Sequence, residues 1–345
     1  MTALVSQFLG RFPGLLGAMI DEPNARSLHS GAIPRTGGLA LLLGIGAAIA
    51  LALWMRPAAL VNQVAIAGDD ALIWIFAAMA PVMVASSLDD RGEVRPRYRL
   101  VAHLMAGAML IAGGLEWSHL DLPGLSLTLG PVLALPLTLL LVVWMINLYN
   151  FMDGMDGLAG GMAVFGFGAL AILGWRAGDP TYALACACVA SAAAGFLIAN
   201  FPPARIFLGD LGSTSLGLLA IAFSLLGSVR GLFPLWAAGL AFSPFILDAT
   251  LTLVRRGRQG ECLWEAHRSH HYQRLILAGW SRQRVLGRAW LLMAACATCA
   301  VLAPDMPPPE QWLLLAAWGT IYAVMSYRIG LAERLAESPG ERHRP

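Results

Sequence analysis

Long apolar segments recur at short intervals along the whole chain. Eleven of them have about the length of a membrane-crossing helix: roughly 2–20, 38–56, 71–88, 99–115, 129–148, 157–175, 182–200, 211–229, 231–254, 285–303 and 311–329. A bilayer core of about 30 Å requires about 20 apolar residues per helix. Arg11 and Pro13 interrupt the first segment, which could instead lie at the membrane interface. The pattern predicts one all-α integral membrane domain, residues 1–345, built as a bundle of 10 or 11 transmembrane helices.

Composition supports this fold class and excludes others. Hydrophobic residues make up 58% of the 345 residues and charged residues 13%, and the mean hydropathy is +0.66. Soluble domains are about 45–50% apolar and about 25% charged. A soluble fold of this size would have too few polar side chains to cover its surface, which excludes an ordinary cytosolic enzyme and a disordered chain. The net charge of +2 is too small to indicate a nucleic-acid partner.

The basic residues, all of them Arg, indicate the orientation in the membrane. If the loop after the first segment is cytoplasmic and the loops then alternate, 19 of the 23 Arg residues lie in or beside cytoplasmic segments. The other four are Arg11, Arg56, Arg176 and Arg230. Cytoplasmic loops are enriched in Lys and Arg. The bias predicts an external N-terminus, a cytoplasmic loop over 255–284 and a polar cytoplasmic tail over 331–345.

Five polar segments on the cytoplasmic side contain the unusual charged and amide residues. They are 21–38, 89–99, 147–157, 201–213 and 255–274. The enrichment of Arg in cytoplasmic loops accounts for their basic residues but not for their Asp, Asn and His. The segments therefore predict one composite site at the inner membrane surface.

Acidic residues stand at the ends of apolar segments. Asp89 and Asp90 follow one such segment directly. Adjacent acids at a membrane boundary repel each other unless a cation or Arg neutralises them. The pair is therefore a candidate for metal or phosphate chemistry, with a solvated helix cap as the alternative. Asp210 precedes another apolar segment, where it could be a metal ligand or a helix N-cap.

A row of four polar residues spaced by three lies in the polar segment 147–157. The row consists of Asn147, Asn150, Asp153 and Asp156. On a continuous α-helix each step of three turns the position back by about 60°, so the two ends of the row would face opposite ways. The four can converge only if the helix breaks, and Gly154 and Gly157 permit such a break. The row predicts a site at a Gly-interrupted turn.

The acids also indicate which metal and substrate the site could support. Oxygen ligands suit Mg²⁺ or Mn²⁺ better than zinc. Mg²⁺ typically takes one or two carboxylates plus substrate phosphates, and Arg binds phosphate oxygens in bidentate fashion. Acids beside Arg therefore predict a diphosphate-bearing substrate. The chain has no GxxxxGK[ST] loop and no GxGxxG after a strand, so no P-loop or Rossmann site is indicated.

Three histidines cluster in EAHRSHHYQR, at positions 267, 270 and 271. Zinc is a weak interpretation, because HExxH is absent and Cys262 is isolated. Histidine beside Arg268 on a cytoplasmic loop suits hydrogen bonding to phosphate or sugar. A purely structural loop is the alternative.

The chain resembles the polyprenyl-phosphate N-acetylhexosamine-1-phosphate transferases in five motifs. In order, these are DEPNARSLHSGAIPRTGG, SLDDRGEVRPRYRL, NLYNFMDGMDGLAGG, FLGDLGSTSLG and AHRSHHYQRL. This superfamily, glycosyltransferase family 4, includes the lipid I translocase and the enzymes that initiate O-antigen and enterobacterial common antigen. The resemblance covers about residues 21–275. It implies ten or eleven membrane helices with the active site on the cytoplasmic face of the bacterial inner membrane.

The resemblance also implies a reaction and its partners. A UDP-N-acetylhexosamine would give its sugar 1-phosphate to undecaprenyl phosphate, producing undecaprenyl-diphospho-sugar and UMP and initiating cell-envelope polysaccharide synthesis. Mg²⁺ would be required, with Mn²⁺ as an alternative. The protein would work in contact with membrane lipid. The oligomeric state, monomer or homodimer, stays open.

Roles follow from the motifs that match. Catalytic roles fall to Asp89, Asp90, Asp153, Asp156 and His270. Metal binding falls to Asp210, Asp156 and Asn150. Substrate binding falls to Asn24, Arg26, His29, Asn147, Asn150, Arg205, His267, Arg268 and His271.

The motifs also favour a subgroup. The last one reads HRSHHYQRL, whereas lipid I translocases tend to have a more His-dense motif. The DEPNARSLHSGAIPRTGG segment also resembles that of the O-antigen and common-antigen enzymes. UDP-GlcNAc, or a deoxy sugar such as N-acetylfucosamine or N-acetylquinovosamine, is therefore favoured over UDP-MurNAc-pentapeptide. The chain departs from the family in having no Lys, so Arg95, Arg97 and Arg99 would have to serve in the cytoplasmic loops.

A multi-pass transporter is the rival interpretation, and a membrane scaffold is a third. Transporter sites lie near the bilayer midplane within broken helices, whereas these acids lie at the ends of apolar segments. Asp248 alone lies well inside one, and an ionisable residue there is functional by default. It could face the site or pair with an Arg.

The predicted orientation can be tested with a native thiol. Cys262 lies in the 255–284 loop, so we expect a membrane-impermeant thiol reagent to leave it unlabelled in intact cells and to label it in inverted vesicles. Labelling in intact cells would contradict the orientation and, with it, a cytoplasmic site.

Overall fold

The structure of the chain is a computed structural model that describes residues 1–11, 20–21, 33–55, 70–92, 94–262 and 267–337. Most of these residues are helical. The helices are α1 Thr2–Arg11, α2 Gly37–Met55, α3 Ala71–Asp89, α4 Pro96–Ala112, α5 Pro131–Phe151, α6 Leu158–Arg176, α7 Pro180–Asn200, α8 Gly209–Val229, α9 Leu235–Ala241, α10 Ser243–Arg258, α11 His271–Leu277, α12 Arg282–Leu302 and α13 Pro308–Glu337. Two antiparallel strand pairs accompany them: β1 Ile20–Asp21 with β2 Ile33–Pro34, and β3 His119–Leu122 with β4 Leu125–Thr128.

The helices form the predicted polytopic all-α membrane bundle. Eight of those in the described ranges are long and apolar enough to cross a membrane: α2, α3, α5, α6, α7, α8, α12 and α13. The bent pair α9 and α10 makes a ninth crossing if it is counted as one span. Helix α4 has 17 residues and packs against both α3 and α5. The predicted total of 10 or 11 crossings stays a prediction.

One predicted segment, 231–254, is not a single helix. The chain turns by 81° between α9 and α10. Pro244 is the second residue of α10. Proline has no N–H to donate to the preceding turn, and its ring clashes with the carbonyl four residues earlier, so a helix cannot continue through it unchanged. The prediction of an unbroken span was wrong at this point.

The first apolar segment is only partly described. Helix α1 ends at Arg11, the residue that interrupts the apolar pattern. Its 10 residues correspond to about 15 Å, half of a bilayer core. Helix α1 packs beside α2 and α7, where the hydroxyl of Thr2 closely approaches Gly44. Whether residues 2–20 cross the membrane lies outside the described residues.

A small hairpin joins α4 to α5 and was not predicted. Strands β3 and β4 pair in register, with Leu122 opposite Leu125. Gly124 in the turn has a φ of +77°, a conformation that glycine adopts without a steric penalty. Nε1 of Trp312 donates to the carbonyl of Pro123 at 3.1 Å, which fixes the hairpin against α13.

Helix α8 is the centre of the bundle. Every residue from Leu211 to Gly227 is buried. It packs against α2, α3, α5, α6 and α9. A contact that fixes the start of α8 therefore also fixes the first turn of α8 relative to the five helices that pack against it.

Glycines allow the helices to approach α8 closely. A Cβ at Gly38 of α2 would lie 2.4 Å from the backbone N of Gly212, and a Cβ at Gly217 would lie 2.6 Å from the carbonyl oxygen of Met145 in α5. Small residues at such contacts bring helix backbones together in membranes, where van der Waals packing drives association.

The polar segments 89–99, 147–157 and 201–213 each join two successive helices. Helix α10 runs to Arg258, and α11 lies within the predicted 255–284 loop. Helix α13 continues to Glu337, so it includes the first residues of the segment 331–345. The single domain and the two cytoplasmic segments stay predictions.

Two glycines of α2 provide a matched test of this packing. We expect Gly38→Ala to destabilise the protein by about 1–3 kcal/mol, because the new methyl group would overlap the backbone of α8. Gly46 has nothing within 4 Å of its Cβ position. Gly46→Ala should be neutral or stabilising, because Ala is the better helix former. Thermal unfolding in detergent measures both variants, and equal effects would contradict the close approach.

Candidate active site

The candidate site lies at the end of the bundle where α3 and α5 end and where α4 and α8 begin. A cleft there is lined by Ser86, Asp89, Arg99, His103, Asn147, Asn150, Asp210 and Thr214. These residues come from four helices, and four of them belong to the residues predicted from the sequence: Asp89, Asn147, Asn150 and Asp210. The cleft thus joins three of the five polar segments.

Asp89 is paired with a basic side chain at the rim of the cleft. One carboxylate oxygen accepts from Nη1 of Arg99 at 2.6 Å, and the other accepts from the backbone N–H of Val94 at 2.8 Å. The Asp89 side chain is 9% exposed, whereas that of Arg99 is 39% exposed. The guanidinium therefore neutralises the acid and still has a face open to a ligand.

Asp90 points the other way and binds the start of α8. Its two carboxylate oxygens accept from the backbone N–H groups of Asp210 and Leu211, each at 2.9 Å. The first N–H groups of a helix have no partner within the helix, and the positive end of the helix dipole favours a carboxylate. Burial raises the pKa of Asp90, and the two N–H groups oppose that rise. Asp90 caps a helix that begins about 120 residues further along the chain.

The backbone around Gly209 makes this contact possible. Gly209 has a φ of +72°, and a Cβ there would lie 2.7 Å from the carbonyl oxygen of Arg35 and 3.0 Å from the Asp90 carboxylate. The segment before it is hydrogen-bonded to the start of α2, with the N–H of Gly38 donating to the carbonyl of Leu208 at 2.8 Å. A larger residue at position 209 would push α8 away from its cap.

Asp210 is a first-turn residue of α8 and does not act as its cap. The N-cap position is Leu208. Oδ1 of Asp210 accepts instead from Nδ2 of Asn150 at 2.7 Å, and the same amide donates to Oγ of Ser213 at 3.0 Å. The Asp210 side chain lines the same cleft as that of Asp89. The alternative interpretation of Asp210 as an N-cap is therefore wrong.

The predicted break in the polar row is confirmed. Helix α5 ends at Phe151, and Gly157, with a φ of +74°, precedes α6. The turn between them is held at two points. Oδ2 of Asp156 accepts from the N–H of Ala204 at 3.0 Å, and the N–H of Gly157 donates to Oδ1 of Asn200 at 2.8 Å.

Asp153 lies on this turn beside the other acids. Loss of water raises its pKa well above the usual range, and the charges of Asp210, Asp90 and Asp156 raise it further, against an opposing effect of Arg35. A carboxyl group surrounded in this way either holds a proton or needs a cation. Asp153 thus connects the turn electrostatically with the start of α8.

The donor set bears on the predicted metal. No three His, Cys, Asp or Glu side chains among the described residues converge closely enough to hold an ion by themselves. Mg²⁺ usually binds through one or two carboxylates, with water and substrate phosphates completing its shell. Asp89 and Asp210, with the amide of Asn150, fit that pattern. The assignment of Asp156 as a ligand stays a prediction, because Asp156 does not line the cleft that contains Asp89 and Asp210.

The histidines form a second cluster next to the turn. The ring of His270 stacks near Phe151 at 6.5 Å and lies 4.8 Å from the ring of His267. Burial lowers the pKa of His267 to about 4, and its Nδ1 lies 2.8 Å from Oγ of Ser269. Burial also lowers the pKa of His271, although Asp248 opposes this. Neutral imidazoles of this kind suit directional hydrogen bonding.

Of the remaining predicted residues, Asn147 also lines the cleft, whereas Arg205 and Arg268 are not part of its lining. Asn147 donates to the carbonyl of Val143 at 2.7 Å and lies 3.3 Å from Nδ1 of His103. Arg205 is exposed and donates to the carbonyl of Ile198 at 3.2 Å. Arg268 is half-buried in the histidine segment. The remaining three predicted residues, Asn24, Arg26 and His29, fall outside the described residues.

Sequence reasoning missed several residues of the site. His103 is buried in α4 and faces the cleft, and a titratable group inside an apolar segment is itself a functional signal. Ser86 and Thr214 join α3 to α8 through a 2.8 Å hydrogen bond between their hydroxyls. No sequence signal distinguishes these two from ordinary packing residues.

Comparisons with known proteins agree with the motifs. The family model for glycosyl transferase family 4 matches residues 72–228. The chain is 34% identical to the decaprenyl-phosphate N-acetylglucosaminephosphotransferase of Mycobacterium tuberculosis over 79% of this chain and 72% of that protein. It is 28% identical to a probable undecaprenyl-phosphate N-acetylglucosaminyl 1-phosphate transferase of Bacillus subtilis, over 81% and 75%. It is 27% identical to the undecaprenyl-phosphate alpha-N-acetylglucosaminyl 1-phosphate transferase of Escherichia coli K12, over 92% and 85%.

The cap on α8 predicts the effect of a conservative substitution. We expect Asp90→Asn to lower the free energy of unfolding by about 1–3 kcal/mol, because the amide group would face a backbone N–H with no acceptor. Asp121→Asn is the control, since Asp121 accepts from Oγ of Ser126 on the β3–β4 hairpin. Its effect should stay within about 0.5 kcal/mol. Thermal unfolding in detergent that fails to separate the two variants would contradict the capping role.

Proposed function

The chain belongs to the polyprenyl-phosphate N-acetylhexosamine-1-phosphate transferases, and from this premise we propose the reaction that its site performs. It transfers an N-acetylhexosamine 1-phosphate from a UDP-sugar to undecaprenyl phosphate. The products are undecaprenyl-diphospho-sugar and UMP. Membership of the family establishes that the chain is a membrane transferase. The UDP donor, the sugar and the metal are proposed here.

One observation carries the proposal. Asp89 and Asp210 line one cleft, where Asp89 is paired with Arg99 and Asp210 with Asn150, at the ends of apolar helices. A lipid phosphate lies at this depth, because its polyprenyl chain remains in the bilayer. Acids and a guanidinium at the same place are the groups that bind a diphosphate and its cation. A soluble nucleotide reaches the cleft from the aqueous side.

Mg²⁺ is the metal that these residues fit. Asp89 and Asp210 would hold it, and Asn150 would orient Asp210 through their hydrogen bond. When bound, Mg²⁺ supplies neutralisation of phosphate charge and thereby stabilises the transition state of phosphoryl transfer. Mn²⁺ accepts the same ligands.

Side chains of the site bind and orient the lipid phosphate and the diphosphate of the UDP-sugar. The exposed face of Arg99 binds phosphate oxygens and keeps Asp89 in place. Asp90 positions the first turn of α8 and with it Asp210. The histidine cluster binds the sugar-phosphate end of the donor, because His270 adjoins the turn that contains Asp153.

The reaction is a direct displacement. An oxygen of the lipid phosphate attacks the β-phosphorus of the UDP-sugar, and the bond from that phosphorus to the oxygen bridging to the α-phosphate breaks, so that UMP leaves with the electron pair. The second pKa of a phosphate monoester is near 6, so much of the acceptor is already a dianion at pH 7. It needs little help from a base. A two-step route through a phospho-aspartate would reveal itself as exchange of labelled UMP into UDP-sugar in delipidated protein.

The relatives support N-acetylglucosamine as the first sugar to test. The relatives from Bacillus subtilis and Escherichia coli are named as N-acetylglucosaminyl 1-phosphate transferases. The resemblance to the enzymes that initiate O-antigen and common antigen keeps deoxy sugars such as N-acetylfucosamine and N-acetylquinovosamine as alternatives. The product would be the first lipid-linked intermediate of a cell-envelope polysaccharide such as lipopolysaccharide.

The site faces the cytoplasm in this proposal, and the membrane is the bacterial inner membrane. UDP-sugars are cytoplasmic, and the excess of Arg lies at the end of the bundle that contains the cleft. Arg99, Arg255 and Arg256 are all at this end.

A donor panel tests the reaction. We expect purified protein with undecaprenyl phosphate and Mg²⁺ to move label from UDP-GlcNAc, or from a UDP-deoxy-N-acetyl sugar, into the lipid phase with one UMP released per transfer. UDP-MurNAc-pentapeptide should give none, and EDTA should stop transfer. Absence of transfer from every UDP-N-acetylhexosamine would contradict the proposed function.

Asp210→Asn tests the metal site separately. The variant keeps the shape of the side chain but removes a charge, so we expect transfer to fall by roughly 10²-fold or more, with little restored by added Mg²⁺. The unfolding temperature should stay close to that of the wild type, because Asp210 does not cap α8. Asp121→Asn should retain full activity. Near wild-type turnover of Asp210→Asn would remove this carboxylate from the metal site.

A further inference from the structure

Asp248 is a buried carboxylate that the proposed reaction does not yet use. It lies in α10, the second half of the bent pair, and is 7% exposed. A charged side chain in a membrane-spanning segment is costly and needs a partner. The hydrogen-bond partners of Asp248 indicate its role.

Donor groups from the histidine segment converge on one of its oxygens. Oδ1 of Asp248 accepts from the backbone N–H of His271 at 2.9 Å and from Oγ1 of Thr252 at 3.2 Å. The same oxygen lies 3.4 Å from Nδ1 of His270 and 3.5 Å from Nδ1 of His271. The Asp248 carboxylate thus binds the backbone of the histidine segment and also lies close to the rings of His270 and His271.

The ring of His270 is the group for which the nearby Asp248 carboxylate matters most. Its side chain is 2% exposed, and its Nδ1 makes no hydrogen bond of good geometry to any described residue. A buried ring nitrogen without a partner is unfavourable, because it has lost its hydrogen bonds to water. The Asp248 carboxylate is in place to accept a proton carried on that nitrogen. Which nitrogen of an imidazole remains available is set by the hydrogen bond that the other one makes.

The ring of His270 also adjoins the acid-bearing turn. It stacks near Phe151, the last residue of α5, and lies parallel to the ring of Tyr272 at 6.0 Å. The hydroxyl of Tyr272 in turn lies so close to Gly154 that a Cβ there would be 2.1 Å away. The histidine segment is therefore packed directly on the turn that contains Asp153.

We propose that Asp248 is a positioning residue that holds Nδ1–H of His270 and leaves Nε2 to contact the phosphate groups of the donor. The inference rests on the proposed function, because it assigns the carboxylate to that reaction. Asp248 acts through His270 and does not itself touch the substrate. The same contacts explain an acid inside an apolar segment without a transport pathway.

A double-mutant cycle tests the dependence of Asp248 on His270. The variants are Asp248→Asn, His270→Gln and the double variant, measured for kcat and KM with the donor sugar that the wild type uses. We expect His270→Gln to lower kcat by about 10²-fold or more. Asp248→Asn alone should lower kcat by about 10–100-fold with KM little changed, as loss of a residue that orients a functional histidine does. In the His270→Gln background, Asp248→Asn should cause a further change of no more than about twofold.

Multiplicative losses in the double variant would overturn the proposal, because a merely structural carboxylate acts independently of His270. An unchanged kcat in His270→Gln would overturn it as well. Failure of the proposed function is distinguishable, since wild-type protein would then transfer no sugar phosphate at all. If Asp248→Asn does not fold, Asp248→Glu replaces it. The charge stays but the carboxylate moves by one methylene, and the same dependence on His270 is expected.

Asp179→Asn is the matched control at the opposite end of the bundle. Asp179 also accepts from a backbone N–H, that of Tyr182 at 2.8 Å, and it pairs with Arg230 at 2.7 Å. We expect this variant to lose thermal stability and to keep kcat within about twofold in both backgrounds. A loss of kcat in Asp179→Asn as large as that in Asp248→Asn would show that destabilisation alone explains the effect, and would overturn the positioning role.

Discussion

The contact between the Asp90 carboxylate and the first N–H groups of α8 is the interaction on which the site depends. It neutralises the unpartnered end of the central helix and fixes the height at which that helix begins. Asp210 lies in the first turn, so its position relative to Asp89 and Asn150 follows from the same contact. Of the two adjacent acids, Asp89 therefore lines the cleft with Arg99, and Asp90 supports the helix behind it.

Close packing around α8 transmits this position to the rest of the bundle. Gly38 and Gly217 let α2 and α5 approach the backbone of α8. In a bilayer, burial of apolar surface against lipid gains little, so such contacts supply much of the association. The site combines side chains from the ends of several helices, and it requires that their backbones be set to within a fraction of an ångström.

Several features of the site could be predicted from local sequence pattern. The break after α5 was predictable, because Gly154 and Gly157 interrupt a polar row that no continuous helix can bring to one face. The gathering of acids at one end followed from their places at the ends of apolar segments. The bend in the segment 231–254 was missed, although Pro244 is a local signal for it. The role of Asp248 was left open between the site and an Arg partner.

The sequence by itself determined that the chain is a membrane bundle, where most of its helices run and that its acids gather at the ends of apolar segments. These properties depend on hydrophobic length and on charge, which are local and can be read residue by residue. Only the tertiary structure decided which partner each polar group has. Asp90 caps a helix 120 positions away, and Asp248 holds a histidine segment across a loop. Contacts of this kind arise from the packing of whole helices, and no spacing along the chain encodes them.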